Sequence, residues 1–89
     1  MSERSNTLAV ALHYEKPNVP VPRVVAKGRG AIGEKIIETA RASGVPIEPN
    51  APLAEALAQV ELDEEIPEAL YRAVAEVLIF VLRAAGKVE

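Results

Sequence analysis

Cysteine is absent from the 89 residues. No disulfide framework can brace the chain, and no thiolate can hold a metal. Histidine occurs once, at position 13. A lone His on a strand reads as a structural or surface residue rather than a catalyst. No Ser or Lys has a recognisable base beside it in sequence. Long hydrophobic runs are missing too. The longest, Val77 to Leu82, is far too short to span a bilayer. The chain opens Met1-Ser2-Glu3-Arg4, without an apolar stretch of leader type, so no signal peptide is expected. Positive charge is also not in excess. The net charge of −3 argues against a general nucleic-acid binder, whose affinity rests on Lys and Arg neutralising phosphates. No internal repeat or low-complexity tract is found. A soluble, cytoplasmic protein without direct membrane insertion is expected.

What is present is ordinary globular composition, with 49% hydrophobic and 26% charged residues. The length allows one domain. It buries only about 60–65% of its unfolded surface, so a stability on the order of 5–10 kcal/mol is expected. The boundaries read as a loose N-terminus over 1–6, a single domain over 7–86 and a tail over 87–89.

The chain is organised around Arg23-Val24-Val25-Ala26-Lys27-Gly28, which runs into Arg29-Gly30-Ala31-Ile32-Gly33. The continuous apolar run predicts a strand buried on both faces. Upstream, Leu8 to Tyr14 predicts a first strand. Leu8, Val10, Leu12 and Tyr14 share one face, and Ala9, Ala11 and His13 share the other. The small alanines predict a helix packed closely on that second face. Between the strands, Glu15 to Pro22 contains Pro17, Pro20 and Pro22, and reads as an extended, exposed connector.

A helix is predicted over Ala31–Ser43, with Ile32, Ile36 and Ala40 as its apolar stripe, widened by Ile37 and Ala42. Gly44 sits where helices end in a left-handed residue. Val45 to Glu48 reads as a short strand, which makes a right-handed crossover with parallel strands. Asn50 is a cap and Pro52 a first-turn residue of a second helix, with Leu53, Ala56, Leu57 and Val60 apolar. Glu61 to Glu65 reads as a solvated acidic turn, because the alternating ligands and glycine of a calcium loop are missing. Pro67 opens the longest helix. Its core stripe is Leu70, Val74, Val77, Leu78, Val81 and Ala85, and Tyr71, Ile79, Phe80 and Leu82 add apolar surface. Arg83, Gly86 and Lys87 suit its end.

Gly28-x-Gly30-x-x-Gly33 is a literal dinucleotide-type pattern, placed after a strand and opening a helix. Glu48 stands near the position of the expected acidic residue. Arg23, Lys27, Arg29 and Lys35 form a basic cluster around the same turn. One alternative is therefore a small nucleotide- or anion-binding domain. Against it, a dinucleotide fold needs more parallel strands than this chain supplies. On the other reading the glycines permit the turn, and Gly33 lets the helix approach the sheet.

Several segments occur together in one order. They are Ala9-Val10-Ala11-Leu12, the connector, Val24-Val25-Ala26-Lys27-Gly28, Gly44-Val45-Pro46, Pro52-Leu53-Ala54-x-Ala56-Leu57 and Glu65-Ile66-Pro67-x-x-Leu70-Tyr71-x-Ala73-Val74-Ala75-Glu76-Val77-Leu78. From about Leu8 to Leu82 the chain resembles the C-terminal cytoplasmic domain of FlhB, the flagellar type III export protein, and its injectisome relatives. The resemblance implies an α/β fold, a small mixed sheet of about three to four strands packed by three helices. It implies a non-enzymatic component or regulator of protein export, acting as a docking module at the export gate in substrate recognition or specificity switching. Partners implied are membrane export-gate proteins, a full-length FlhB and export substrates. No cofactor or metal is implied. The family's substrate-contact patch falls on Val21, Pro22, Ala75 and Leu78.

Family members cut themselves at Asn-Pro-Thr-His, just before the Ala-Val-Ala-Leu strand. Here Arg4-Ser5-Asn6-Thr7 occupies that place. Arg4 cannot cyclise, no Pro follows, and Asn6 is out of register, so self-cleavage is not expected. The sequence resembles a free-standing version of the downstream cleavage product, of the type called FlhX. In the family, the strand upstream of the cut pairs with the sheet. Residues 1–6 are too short and polar to replace it, so an open strand position is expected.

Overall fold

The computed structural model describes residues 6–15 and 17–84, the last three by their backbone alone. Two antiparallel strands form the sheet: β1 (Leu8–Glu15) and β2 (Val19–Arg29). Three helices follow: α1 (Ala31–Ala42), α2 (Ala51–Leu57) and α3 (Tyr71–Ala84), with a short 3₁₀ turn, Glu68–Leu70, leading into α3. The expected mixture of α and β elements, with three helices, is present. Among the described residues, however, the sheet has two strands and is wholly antiparallel, where three to four in a mixed sheet were expected.

The connector is the first correction. β2 begins at Val19 and contains both Pro20 and Pro22, and Pro22 is buried. Two prolines fit a strand here because of where their missing N–H groups would point. Val24 N–H donates to Glu64 O at 3.1 Å, Val24 O accepts from Asp63 N–H at 2.6 Å, and Pro22 O accepts from Ile66 N–H at 2.9 Å. Residues two apart along a strand face the same way. Positions 20 and 22 therefore address the side away from β1, and the ladder to β1 loses no donor.

Those same bonds recast the acidic turn. Its side chains are exposed, as expected for Glu61 to Glu65. Its backbone, however, straps the outer edge of β2, with an isolated bridge between Arg23 and Glu65. Asp63 takes a left-handed φ of 68° to make this turn, a conformation Asp tolerates better than most side chains.

The second correction concerns the apolar run. Val24 is fully buried, but Val25 is 44% exposed. The register explains this. Ala11 pairs with Ala26 and Leu12 with Val24, so Val25 is an extra residue, a β-bulge. The bulge switches the parity of β2. Val24 and Lys27 therefore both face α2 and α3, while Ala26 and Gly28 turn to α1.

That gives the sheet two different faces. On one, Val10, Leu12 and Val21 pack against a buried cluster of Val24, Leu57, Ile66 and Val74. On the other, Ala9 and Ala11 pair with Gly28 and Ala26, and α1 lies across both strands. This is the close helix packing that the alanines implied. Gly33 sits at the point of contact. A Cβ there would stand 2.5 Å from Thr7 O and 2.8 Å from Gly28 O. The residues of α1 that face inward are Gly33, Ile36, Ile37 and Ala40. Ile32, expected in the stripe, is 62% exposed and lies over Gly28, where a Cβ would collide with it.

The third correction is the missing strand at Val45–Glu48, which is irregular. Gly44 ends α1 at φ 74°. Its N–H donates to Arg41 O, and Val45 N–H donates to Ala40 O at 2.8 Å. This pair of bonds is a Schellman closure. It consumes the Val45 donor, Pro46 has none, and no crossover forms. The cap of α2 is as expected: Asn50 Oδ1 accepts from Leu53 N–H at 3.2 Å, with Pro52 in the first turn. Gly86 and Lys87 of the expected helix end, and Ala85 of the expected core stripe, lie outside the described residues.

Candidate docking surfaces

The glycine turn is built for packing. Gly30 adopts φ 68° and ψ −131° at the head of α1, a region that favours glycine. Its N–H donates to Thr7 O at 2.7 Å. The Thr7 carbonyl thus occupies the start of the helix, where a phosphate would have to lie. Gly28 and Gly33 are explained by the close contacts already described.

The basic cluster read from the sequence is divided among separate partners. Arg23 donates to Asp63 O at 2.8 Å and lies 3.7 Å from Glu65. Arg29 makes a two-pronged pair with Glu55 at 3.1 and 3.2 Å. That guanidinium holds the Glu55 carboxyl below the usual carboxylate range, chiefly by hydrogen bonding. Lys27 reaches across the sheet, and its Nζ donates to Ala58 O at 2.9 Å and Val60 O at 2.7 Å. It closes the carbonyl end of α2 with a cation, the sign that this end favours. Lys35 lines an open depression of about 530 Å³ beside α1, where Glu34 and Glu38 offset Lys35 and Arg41. No single positive site results.

Lys27→Met keeps the apolar stem and removes the ammonium. It is expected to cost about 1 kcal/mol, since a hydrogen bond to a charged group is worth more than a neutral one but this one is half-exposed. Urea unfolding at neutral pH checks this. Arg29→Met, on an exposed pair, should cost less in the same experiment.

His13 is exposed and lies 3.4 Å from Glu15. Among the described residues no group of His, Asp or Glu is gathered to hold a metal ion. No helix there is long and apolar enough to cross a membrane.

Of the four residues carried over as a contact patch, Val21 is half-buried against the core and Pro22 is buried. Leu78 is half-buried against the same core, whereas Ala75 is exposed. Of the four, Ala75 alone is exposed. Around Ala75 on α3, Tyr71, Ile79 and Phe80, expected as apolar surface beyond the core stripe, are 44%, 50% and 60% exposed; the extent of their exposure is what sequence reasoning missed.

The other surface left uncovered among the described residues is the sheet edge. The strap covers the outer side of β2. Among the described residues β1 pairs with β2 alone. Its residues Leu8, Val10, Ala11, Leu12 and Tyr14 are only half-buried. A strand edge flanked by incompletely covered apolar side chains is a template for strand addition.

The described residues thus define a small α/β domain with a strapped hairpin and three helices. The chain belongs to the FlhB HrpN YscU SpaS family, whose model matches residues 5–81. It is 43% identical over 75 residues to YlqH of Bacillus subtilis, covering 84% of this chain and 81% of that protein. It is 40% identical over 82 residues to the flagellar biosynthetic protein FlhB of Aquifex aeolicus, covering 91% of this chain and 23% of that one. The chain thus spans about a quarter of that FlhB. Among solved structures, the cytoplasmic domain of FlhB from Shewanella putrefaciens superposes with a TM-score of 0.82 at 40% identity, over 91% of this chain and 67% of that domain.

Proposed function

We propose that this domain is a docking module of a flagellar or type III protein export apparatus. It works at the cytoplasmic face of the membrane export gate, in substrate recognition or specificity switching, and does not cut itself. The observation that carries this reading is the β1 edge, in a chain of the FlhB family that covers only part of its longer relatives. A strand supplied by a membrane-anchored export-gate protein, such as a full-length FlhB, pairs with β1 and covers Leu8, Val10 and Leu12. Main-chain bonds supply affinity in this mode, and the alternating side chains supply register. Substrate contact, if it uses the family's patch, runs through Ala75 and the open flank of Leu78. The absence of self-cleavage rests on Arg4, which stands where the family has the cyclising Asn.

The test is titration with a peptide covering the upstream strand of a full-length FlhB, followed by calorimetry and thermal unfolding. Binding is expected, and at 100 times the dissociation constant it should stabilise the domain by about 2.7 kcal/mol. A domain that ignores the peptide, and whose melting point does not move, overturns the reading.

A further inference from the structure

Among the described residues, helix α3 carries an apolar row that its own domain leaves exposed. Tyr71, Ala75 and Ile79 recur every four residues and so line up along one side of the helix. All three are exposed. Beside the row stand Arg72 and Glu76, also exposed. Among the described residues, neither joins an ion pair. The row has a small residue at its centre and a large one on each side.

This pattern is self-complementary in one arrangement. Let two copies of α3 pack antiparallel, with Ala75 on Ala75 at the twofold axis. The small side chains let the helices approach. Tyr71 then covers Ile79 of the second copy, and Arg72 faces Glu76 of the second copy, twice over. In a parallel twofold pairing the flanks that carry Arg72 and Glu76 lie on opposite sides of the contact and gain no such pairs. An antiparallel register centred on Arg72 sets Arg72 on Arg72, which like-charge repulsion disfavours. We propose that α3 is a self-association surface, pairing antiparallel with α3 of a second copy of this chain through Tyr71, Ala75 and Ile79, with Arg72 and Glu76 setting the register. The interface closes under twofold symmetry, so it makes dimers and not fibres. One helix against one helix falls short of the roughly 1,200 Å² of a standard interface, so the dimer is weak and exchanges freely. It covers Ala75, so self-association and substrate contact at Ala75 exclude each other. The surface itself does not depend on the export reading.

Sedimentation equilibrium of the full chain at low salt tests this, over a range from about 10 μM to about 1 mM, which brackets weak association. The average mass should rise toward that of two chains. Arg72→Glu and Glu76→Arg should each weaken dimerisation about tenfold or more, since each turns two attractions into repulsions. Mixing the two variants should restore dimers, because each now presents only one sign of charge to the other. Ile79→Ser should give monomers with unchanged circular dichroism. A wild type that stays monomeric throughout overturns the proposal. So does a wild-type dimer with a mixture of the charge variants that fails to associate, since association then uses another face.

Discussion

Gly33→Ala is expected to destabilise the domain by about 2 kcal/mol, within the range for overpacking a close contact. Intrinsic propensity points the other way. In an exposed helix interior the same change gains close to 1 kcal/mol. The geometry decides the sign. The added Cβ would stand 2.5 Å from Thr7 O and 2.8 Å from Gly28 O, closer than a carbon and an oxygen can pack. Both neighbours are backbone, so no side chain can swing aside. Thr7 O is already held by the Gly30 N–H, and Gly28 belongs to β2. The helix has to lift from the sheet instead, loosening its contacts with Ala9, Ala11 and Ala26. For a domain of this size, 2 kcal/mol corresponds to a fall of roughly 8–16 °C in melting temperature. Thermal unfolding followed by circular dichroism checks it. An unchanged or raised melting point would mean that α1 rides higher on the sheet than described.

Where local chemistry acts alone, the sequence was easy to read. Asn50 and Pro52 announce the start of α2 because a cap and a first-turn proline depend only on adjacent atoms. Gly44 announces the end of α1 for the same reason. The alanines of β1 announced α1, since only small side chains admit a helix so close. The misreadings arose where tertiary pairing overrides a local rule. Pro20 and Pro22 argue against a strand unless the direction of their missing donors is known, and that direction depends on the strap at Glu61–Ile66. Val25 breaks period-two alternation through a bulge, which leaves no mark in an apolar run. Val45–Glu48 looks like a strand by composition, yet its first donor is spent closing α1. The basic residues share a stretch of sequence but not one free site, because Arg23 is taken up by the strap, Lys27 and Arg29 by α2 and its end, and Lys35 stands on α1. At the docking surfaces, the order of motifs carried the family. The exposed row on α3 was legible as surplus apolar surface, but not as a surface with a partner.

Val24→Asp is expected to leave the domain unfolded at neutral pH, whereas Val24→Ala is expected to leave it folded but weaker by about 2–3 kcal/mol. Val24 is fully buried at the centre of the cluster with Leu57, Ile66 and Val74. Its own N–H and C=O are both committed to the strap, so neither is free to solvate a new side chain. The cations that turn to this face are engaged elsewhere: the Lys27 ammonium is held by Ala58 O and Val60 O, and Arg29 by Glu55. An ionised carboxylate there has no partner, and burying one costs more than the roughly 5–10 kcal/mol the whole domain has to spend, unless it protonates first. The pH dependence follows with a definite sign. In the unfolded chain the introduced carboxyl titrates near the ordinary aspartate value of about 3.9, and burial raises it in the folded state. The folded state therefore holds its proton over a pH range where the unfolded state has lost it. The penalty is smallest below pH 4 and grows as pH rises. Circular dichroism of the variant should show more native signal near pH 4 than at pH 7, while Val24→Ala shows no such gain over wild type. A variant that is fully folded at pH 7 would place position 24 at the surface and dissolve the core described for this domain.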